Sequence, residues 1–265
     1  MTDVRYYDIG LNLFCPQFKH PDAVLRRAAE QGVACILTGS DPKENRRIDE
    51  YLKADRGMEV YGTAGLHPHN ADDFTKEIMD EVRRIYTENP RVVAVGECGL
   101  DYNRMFSEKK NQLRTLESFI ELAEELSAPM FLHERDASED FAAMFRAVPK
   151  VAERSVVHCF TGDRRTAEQY LDMGFSIGIT GWISDDRRAA EVREAVKDIP
   201  KDRILVETDA PYLTPRNVKG LGHTNVPENI IYVVRTLAVY MGIDEEELIR
   251  AARENTRRLF HLMSE

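Results

Sequence analysis

Eight short β-rich runs recur along the chain, and segments with the spacing of amphipathic helices lie between them. Most of the runs are apolar at nearly every position, which is typical of strands covered on both faces in a parallel sheet. The predicted strands are RYYDIGLNL (5–13), GVACILTG (32–39), VYGTAGLH (60–67), VVAVGE (92–97), PMFLHE (129–134), SVVHCF (155–160), FSIGIT (175–180) and RILVET (203–208). Eight strand–helix units without a linker predict an α/β fold, a single (β/α)8 TIM barrel over residues 1–265.

A doubly wound open sheet is the competing α/β fold. The strand count favours the barrel, and no GxGxxG motif follows the first predicted strand. A length of 265 residues is also normal for one α/β barrel. Two helix starts carry capping signals, since Asp41 precedes a proline and Asp244 opens an acidic run.

The net charge of −10 argues against a protein that binds nucleic acid through a broad basic surface. This charge is still compatible with an enzyme that binds phosphates through metal ions at a single site. The first residues lack a basic-then-apolar signal pattern, and no apolar run is long enough to cross a bilayer. We therefore expect a soluble, cytoplasmic and monomeric protein with no membrane partner.

Five of the eight predicted strands end in a metal-capable or titratable group. These are His67-Pro68-His69 after the third strand, Glu97 after the fourth, His133 in the fifth, His158 in the sixth and Asp209 after the eighth. In a TIM barrel, the carboxyl ends of the strands form the active-site face. Taken singly, such residues are usually helix caps or core histidines, but unrelated caps need not all fall at the same end. The set Glu97, His133, His158 and Asp209 therefore predicts a metal site.

Two imidazoles and two carboxylates form a mixed nitrogen and oxygen donor set. Such a set suits Mg²⁺, Mn²⁺ or Zn²⁺ rather than a metal that requires thiolates. The cysteines Cys98 and Cys159 each follow a proposed ligand by one residue. Because side chains alternate along a strand, we expect both thiols to face the helices and to serve in packing.

Seven motifs resemble a known family. DIGLN, GLHPH, GECGLDY, HERDA, HCFTG, GITGW and ETDAPYL follow one another between Asp8 and Leu213, and they resemble the TatD family of metal-dependent deoxyribonucleases in the amidohydrolase superfamily. The resemblance implies a (β/α)8 barrel that hydrolyses DNA phosphodiester bonds with a divalent metal, typically as a 3′-5′ exonuclease. It also implies that Glu97, His133, His158 and Asp209 form the metal site, with Asp209 and Glu97 taking part in catalysis. Single strands are the expected substrate and RNA a further candidate, in DNA repair or degradation.

The chain departs from the family pattern at one place. Most members carry an H-x-H pair at the end of the first strand, where this sequence has Gly10 and Asn12. Some members that resemble TatD itself share this DIGxN form. Glycine offers no ligand and an amide is a poor one, so we expect one firmly bound metal. The departure favours Mg²⁺ first, with Mn²⁺ or Zn²⁺ as alternatives, because Mg²⁺ and Mn²⁺ accept water and phosphate as ligands.

The hypothesis for catalysis is that a metal-activated water attacks phosphorus. Asp209 either ligates the metal or takes the proton of the water. His67 and Arg135 are candidate donors to the phosphate, although a loop cap and a surface ion pair are equally plausible roles for them.

Aromatic and basic residues lie together in three predicted loops. They are the segment 101–106, Trp182, and the stretch from Tyr212 to Asn225, which includes Arg216, Lys219 and His223. Bases could stack on the aromatic rings while cations meet phosphates, as in single-strand binding. The alternative is a structured surface loop whose aromatic side chains pack inward.

Two other functions stay open. One is a hydrolase of the same superfamily that acts on a small ester, amide or lactone, against which the missing histidine pair and the long last loop both argue. The other is a binding protein that lost turnover through Gly10 and Asn12, against which the intact metal-site residues argue.

Overall fold

The computed structural model describes residues 4–262, and its centre is a sheet of eight parallel strands arranged in chain order. The strands are β1 (Tyr6–Leu11), β2 (Val33–Leu37), β3 (Val60–Ala64), β4 (Val92–Asp101), β5 (Met130–Arg135), β6 (Ser155–Val157), β7 (Ser176–Ile179) and β8 (Ile204–Val206). All eight predicted strands are present, and the predicted α/β barrel is confirmed. No helix in residues 4–262 has the length and apolar character to span a membrane.

Helices follow the strands and cover the outside of the sheet. They are α1 (Pro21–Glu30), α2 (Pro42–Lys53), α3 (Lys76–Glu88), α4 (Lys109–Leu126), α5 (Ser138–Phe145), α6 (Pro149–Glu153), α7 (Arg164–Asp172), α8 (Ala190–Ala195), α9 (Ile230–Met241) and α10 (Glu245–Leu259). Short 3-10 turns occupy Pro68–Asp73, Gly181–Ser184 and Pro227–Asn229. The carboxylates of Asp41 and Asp244 each accept two backbone N–H groups at a helix start, as their sequence context predicts.

The barrel closes between β1 and β8 through side chains more than through backbone pairing. One isolated bridge joins Leu11 to Ala210, and the Asn12 N–H donates to the Ala210 carbonyl at 2.8 Å. Beside it, the buried carboxylate of Asp8 accepts the backbone N–H of Thr208 at 2.8 Å and also the Thr208 hydroxyl. The side chain of Asp8 therefore supplies hydrogen bonds that a continuous ladder would otherwise make.

Two apolar layers surround the strands. One layer lies between strands and helices and includes Cys98, which is fully buried among apolar neighbours. The inner layer contains mostly alternate strand residues together with side chains at the end of α10 and just after it. Its members are Tyr7, Ile9, Ala34, Ile36, Val93, Ala94, Phe131, Val156, Leu205, Leu259, Phe260 and Leu262. This period-two alternation is the pattern expected of a filled barrel.

The expectation that the fourth strand ends at Glu97 is wrong, because β4 continues to Asp101. The pairing of β4 with β5 shifts register between Gly96 and Cys98. At this irregularity the Glu97 N–H leaves the β5 ladder and donates to the carbonyl of Gly39 at 2.8 Å. Such a bulge re-aims a side chain without ending a strand, and here it lies beside the candidate site.

Candidate active site

Glu97 lies at the centre of a group of histidines. Its Oε1 is 2.8 Å from His158 Nε2, 3.1 Å from His133 Nδ1 and 3.2 Å from His67 Nε2. Burial alone would raise the pKa of Glu97, but the neighbouring imidazoles outweigh burial and hold that pKa well below its usual range. Residues from β3, β4, β5 and β6 thus meet at one carboxylate.

His158 follows β6 and is fixed from behind by a second carboxylate. Its Nδ1 lies 3.3 Å from Oε2 of Glu207, a fully buried residue just after β8. An Nδ1–H that donates to Glu207 leaves Nε2 as the free ligand atom, and Nε2 is the atom that faces Glu97. Burial opposes a positive charge on His158, but Glu207 and Glu97 outweigh it and raise the pKa of the imidazole well above its ordinary value. The Phe131 ring stacks on His158 with centroids 4.3 Å apart and forms an apolar floor.

His133 has the same arrangement with a different carboxylate. Its Nδ1 faces Glu97, while its Nε2 is buried without a well-aligned hydrogen bond and lies 3.3 Å from Oδ2 of Asp101. Asp101 also contacts His69 Nε2 at 2.7 Å. A small rotation of the imidazole would complete a carboxylate–histidine pair and leave Nδ1 free to bind a metal.

His67 belongs to the same cluster but has a different tautomer. The ligand atoms of His67, Glu97 and His133 lie within 4.8 Å of one another, as the donors around one metal ion would. However, His67 caps the 3-10 turn at Pro68–Asp73, where its Nδ1 accepts the backbone N–H of His69 at 3.1 Å. Burial also lowers the pKa of His67 and favours the neutral ring. A neutral ring that accepts at Nδ1 carries its proton on Nε2, so His67 presents a hydrogen-bond donor to the site and not a ligand lone pair.

Asp209 is partly buried in the loop after β8 and has a φ of 52°. Its Oδ1 accepts a hydrogen bond from Asn12 Nδ2 at 2.9 Å, and the same Nδ2 lies 3.3 Å from the carbonyl of Ala210. Burial raises the pKa of Asp209 to about 7, with the charges of Glu207 and Glu97 acting in the same direction. A carboxylate with this pKa can exchange protons near neutral pH.

Gly10 is explained by the space that Glu207 occupies. A Cβ on Gly10 would lie 2.3 Å from Oε2 of Glu207, far inside contact distance. A histidine at this position therefore has no room while Glu207 supports His158. The carboxylate of Glu207 fills the volume where the first histidine of an H-x-H pair would begin.

Sequence reasoning missed Glu207 and Asp101 as members of the site. The sequence does contain a signal for both, because side chains alternate between the two faces of a strand and every second residue lies on the same face. By this alternation, Glu207 lies on the same face as Asp209 in ETDAPYL, and Asp101 lies on the same face as Glu97 in GECGLDY.

The candidate substrate-binding residues lie at the end of β5 and in the segments that follow β7 and β8. Arg135 donates to Thr161 Oγ1 at 2.9 Å, and its guanidinium lies 4.7 Å from the Trp182 ring. Arg216 pairs with Asp185 at 3.3 Å. Trp182 and Arg216 line a cavity of about 320 Å³ between the loops after β7 and β8. Tyr212 is 48% exposed, with its hydroxyl 3.4 Å from the sulfur of Cys15.

The donor set fits a divalent cation. Glu97 Oε1, His133 Nδ1 and His158 Nε2 converge, and each histidine has a carboxylate near its other nitrogen. Three protein ligands with an open side are typical of catalytic metal sites, and carboxylates behind the histidines are their usual support. The thiol of Cys98 is buried in the apolar layer between strands and helices, as expected. Cys159 is only partly buried, and its Sγ lies 3.8 Å from Thr180 Oγ1.

Comparisons with known proteins identify the family. The family model described as TatD related DNase matches residues 7–261. A protein named 3′-5′ ssDNA/RNA exonuclease TatD from Pantoea vagans (strain C9-1) is 42% identical over 261 residues, covering 97% of this chain and 99% of that protein. A protein of the same name from Erwinia billingiae (strain Eb661) is 42% identical over 260 residues, covering 97% of this chain and 99% of that protein.

Solved structures show the same fold. The crystal structure of YJJV, a TatD homologue from Escherichia coli K12, superposes with a TM-score of 0.87 at 27% identity and covers 98% of this chain and 99% of that one. A TatD family hydrolase from Entamoeba histolytica has a TM-score of 0.87 at 24% identity, covers 99% of this chain and 100% of that one, and supports the fold alone. The predicted family and the class of hydrolytic enzyme are confirmed. With its family model spanning residues 7–261, this chain belongs to the TatD-related DNases.

Proposed function

We propose that this protein is a divalent-metal-dependent exonuclease that removes nucleotides from the 3′ end of single-stranded DNA and of RNA. The observation that carries the proposal is the convergence of His133 Nδ1 and His158 Nε2 on one oxygen of Glu97, with Asp101 and Glu207 behind the two rings. We further propose that it acts as a cytoplasmic monomer with one domain, in nucleic-acid repair or degradation.

Mg²⁺ is the proposed cation, held by Glu97, His133 and His158. The three protein donors leave room for water and phosphate oxygens, which Mg²⁺ and Mn²⁺ accept readily. When bound, the cation supplies Lewis acidity toward the phosphate and the attacking water. The buried Phe131 ring beneath His158 keeps bulk water away from the inner side of the site.

Asp209 is the proposed proton acceptor for the attacking water. Its pKa of about 7 matches this task near neutral pH, and a hydrogen bond from Asn12 holds one of its oxygens in place. The Nε2–H of His67 is placed to donate to a phosphate oxygen beside Glu97. Arg135, held by Thr161 on one nitrogen, is the proposed second donor to the phosphate.

The substrate class follows from the names of the relatives and from the loops around the mouth. Relatives at 42% identity over nearly the whole chain are named as 3′-5′ exonucleases of single-stranded DNA and RNA. The net charge of −10 requires phosphate contacts to be local. Arg216 and Trp182 at the cavity after β7 and β8, together with exposed Tyr212, are the proposed local contacts.

The test is digestion of 5′-labelled single-stranded DNA, duplex DNA and RNA in Mg²⁺, Mn²⁺ or Zn²⁺, beside a panel of small esters and lactones. We expect a ladder that shortens from the 3′ end on single strands, strongest in Mg²⁺ or Mn²⁺ and abolished by a chelator. Shortening from the 5′ end would contradict the polarity. Rapid hydrolysis of a small ester with no release of nucleotides would favour the small-molecule hydrolase instead.

A further inference from the structure

Large apolar side chains that are exposed concentrate at the mouth of the barrel. Among residues 4–262 these are Met105 at 47%, Phe106 at 65%, Tyr212 at 48% and Val239 at 77%. Met105 and Phe106 follow β4 and Tyr212 follows β8, so only Val239, on α9, lies away from the loops at the active-site face. Apolar side chains exposed beside a site mark a surface that a ligand covers.

Phe106 is joined to the metal-binding residues by a short series of contacts. Its ring lies edge-on to His69 with centroids 4.7 Å apart. His69 Nε2 is 2.7 Å from Oδ2 of Asp101, and the same oxygen is 3.3 Å from Nε2 of His133. A flat ligand resting on Phe106 would therefore adjoin a group bound at Glu97.

The exposure of Phe106 is built into an ordered loop. Oδ1 of Asp101 accepts the N–H groups of Asn103 at 3.0 Å and Arg104 at 2.7 Å. On the other side of Phe106, the carbonyl of Ser107 accepts a hydrogen bond from Gln112 Nε2 at 3.0 Å. The loop is thus fixed immediately before and after the exposed ring, which presents it ready for stacking.

Trp182 does not offer an equally free surface. The guanidinium of Arg188 lies 3.9 Å from its ring centroid, and that of Arg135 lies 4.7 Å away. These cations already occupy positions over the indole, as in cation–π pairs. Among the aromatic candidates at the mouth, Phe106 combines the highest exposure with contact to the histidine cluster.

We propose that Phe106 is the platform on which the terminal base of a single strand stacks, while the adjoining phosphate binds at the proposed cation site of Glu97, His133 and His158. The inference rests on the proposed nuclease function and adds a base-binding position to it. An aromatic ring stacks on any base, which gives affinity without sequence preference. A terminal base in a duplex is already paired with its complement and stacked on its neighbour. The platform therefore favours an unpaired end.

The experiment measures binding of 5′-fluorescein oligothymidylate in Mg²⁺, with cleavage-resistant phosphorothioate linkages at the 3′ end. The second ligand is the same oligonucleotide with its terminal base removed. Phe106→Ala should weaken binding of the intact end about tenfold, within the usual range for one stacked base. It should have no further effect on the abasic end. Phe106→Trp should bind the intact end at least as tightly as the natural protein, and Val239→Ala should match the natural protein on both ligands.

If Phe106→Ala binds the intact end as tightly as the natural protein does, Phe106 is not the stacking platform. Equal losses on the intact and abasic ends would overturn it as well, because the loss would then not come from the base. Digestion by the natural protein, run in parallel, separates this result from the proposed function. If the natural protein releases nucleotides in a metal-dependent way and Phe106→Ala binds the intact end with natural affinity, the platform alone is rejected. If the natural protein releases no nucleotides, the nuclease function is rejected.

Discussion

Asn12 Nδ2 donates to Asp209 Oδ1 at 2.9 Å, across the seam where β1 meets the end of β8. The Ala210 carbonyl lies 3.3 Å from the same nitrogen. The Ala210 carbonyl can only accept hydrogen bonds, and so can the ionised carboxylate of Asp209, so the amide turns its NH2 group toward both. The asparagine that stands in place of a histidine is therefore an anchor for the candidate base and not a metal ligand.

Asn12→Ala should lower kcat about tenfold with little change in KM, because a hydrogen bond to a charged group contributes roughly 1.5–3 kcal/mol. The bond favours the charged form of Asp209 and lowers its pKa. Its loss should therefore shift the acid limb of the pH–rate profile to higher pH. Asn111→Ala, which removes an amide–carboxylate bond to Asp72 on the surface, is the matched control. An unchanged profile in Asn12→Ala would refute the anchoring role.

Gly10→Ala should destabilise the protein by about 1–3 kcal/mol, the usual cost of inserting an atom into a packed interior. The new Cβ would lie 2.3 Å from Oε2 of Glu207 and displace it from His158. Thermal unfolding measures the stability, and titration with Mn²⁺ measures the accompanying loss of metal affinity. Gly222→Ala is the control, since its Cβ would meet its nearest atom at 4.0 Å. Natural stability and affinity in Gly10→Ala would show that Glu207 is not confined as described.

Glu207→Gln and Asp101→Asn should each weaken metal binding about 10- to 100-fold, the usual effect of changing a group behind a metal-bound histidine. Each substitution keeps the size of the side chain but removes the charge near one imidazole, at His158 or at His133. Calorimetric titration with Mn²⁺ measures the affinity directly. Glu117→Gln, exposed on α4, serves as the control. Full metal affinity in both variants would exclude supporting roles for these carboxylates.

Asp8→Asn should remove a pH dependence of stability. Burial raises the pKa of Asp8 to about 8, whereas an unfolded aspartate titrates near pH ~3.9. Between these values the folded state holds a proton that the unfolded state has lost, so stability falls as pH rises from about 4 to 8. The loss is at most about 1.4 kcal/mol per pH unit. Asparagine keeps an acceptor for the Thr208 N–H.

The measurement is chemical unfolding of natural protein and Asp8→Asn at several pH values from 4 to 8. The variant should gain stability relative to the natural protein as pH rises, and an exposed substitution on α7, Asp172→Asn, should not. A constant difference across this range would show that Asp8 does not titrate in the window that its burial implies.

How far the sequence predicts this molecule depends on the range of the interaction. The barrel follows from eight apolar runs, because hydrophobic period and strand count are local patterns. The group at Glu97 was predicted from strand ends, although Glu97 itself lies at a bulge inside β4 that no local pattern reveals. The tautomer of His67 depends on a local contact with the backbone N–H of His69, whereas the role of Asn12 depends on a partner 197 residues away. The contact of Asn12 is set by tertiary geometry and needs coordinates.

The most direct test of the central claim compares natural protein, Glu97→Gln and Glu117→Gln on 5′-labelled single-stranded DNA, with Mg²⁺ and with a chelator. Glutamine keeps the shape of Glu97 but removes the charge on which three histidines converge. We predict 3′-end shortening by the natural protein and Glu117→Gln in Mg²⁺ only, and a loss of at least about a hundredfold in Glu97→Gln. Undiminished Mg²⁺-dependent shortening by Glu97→Gln would contradict the account.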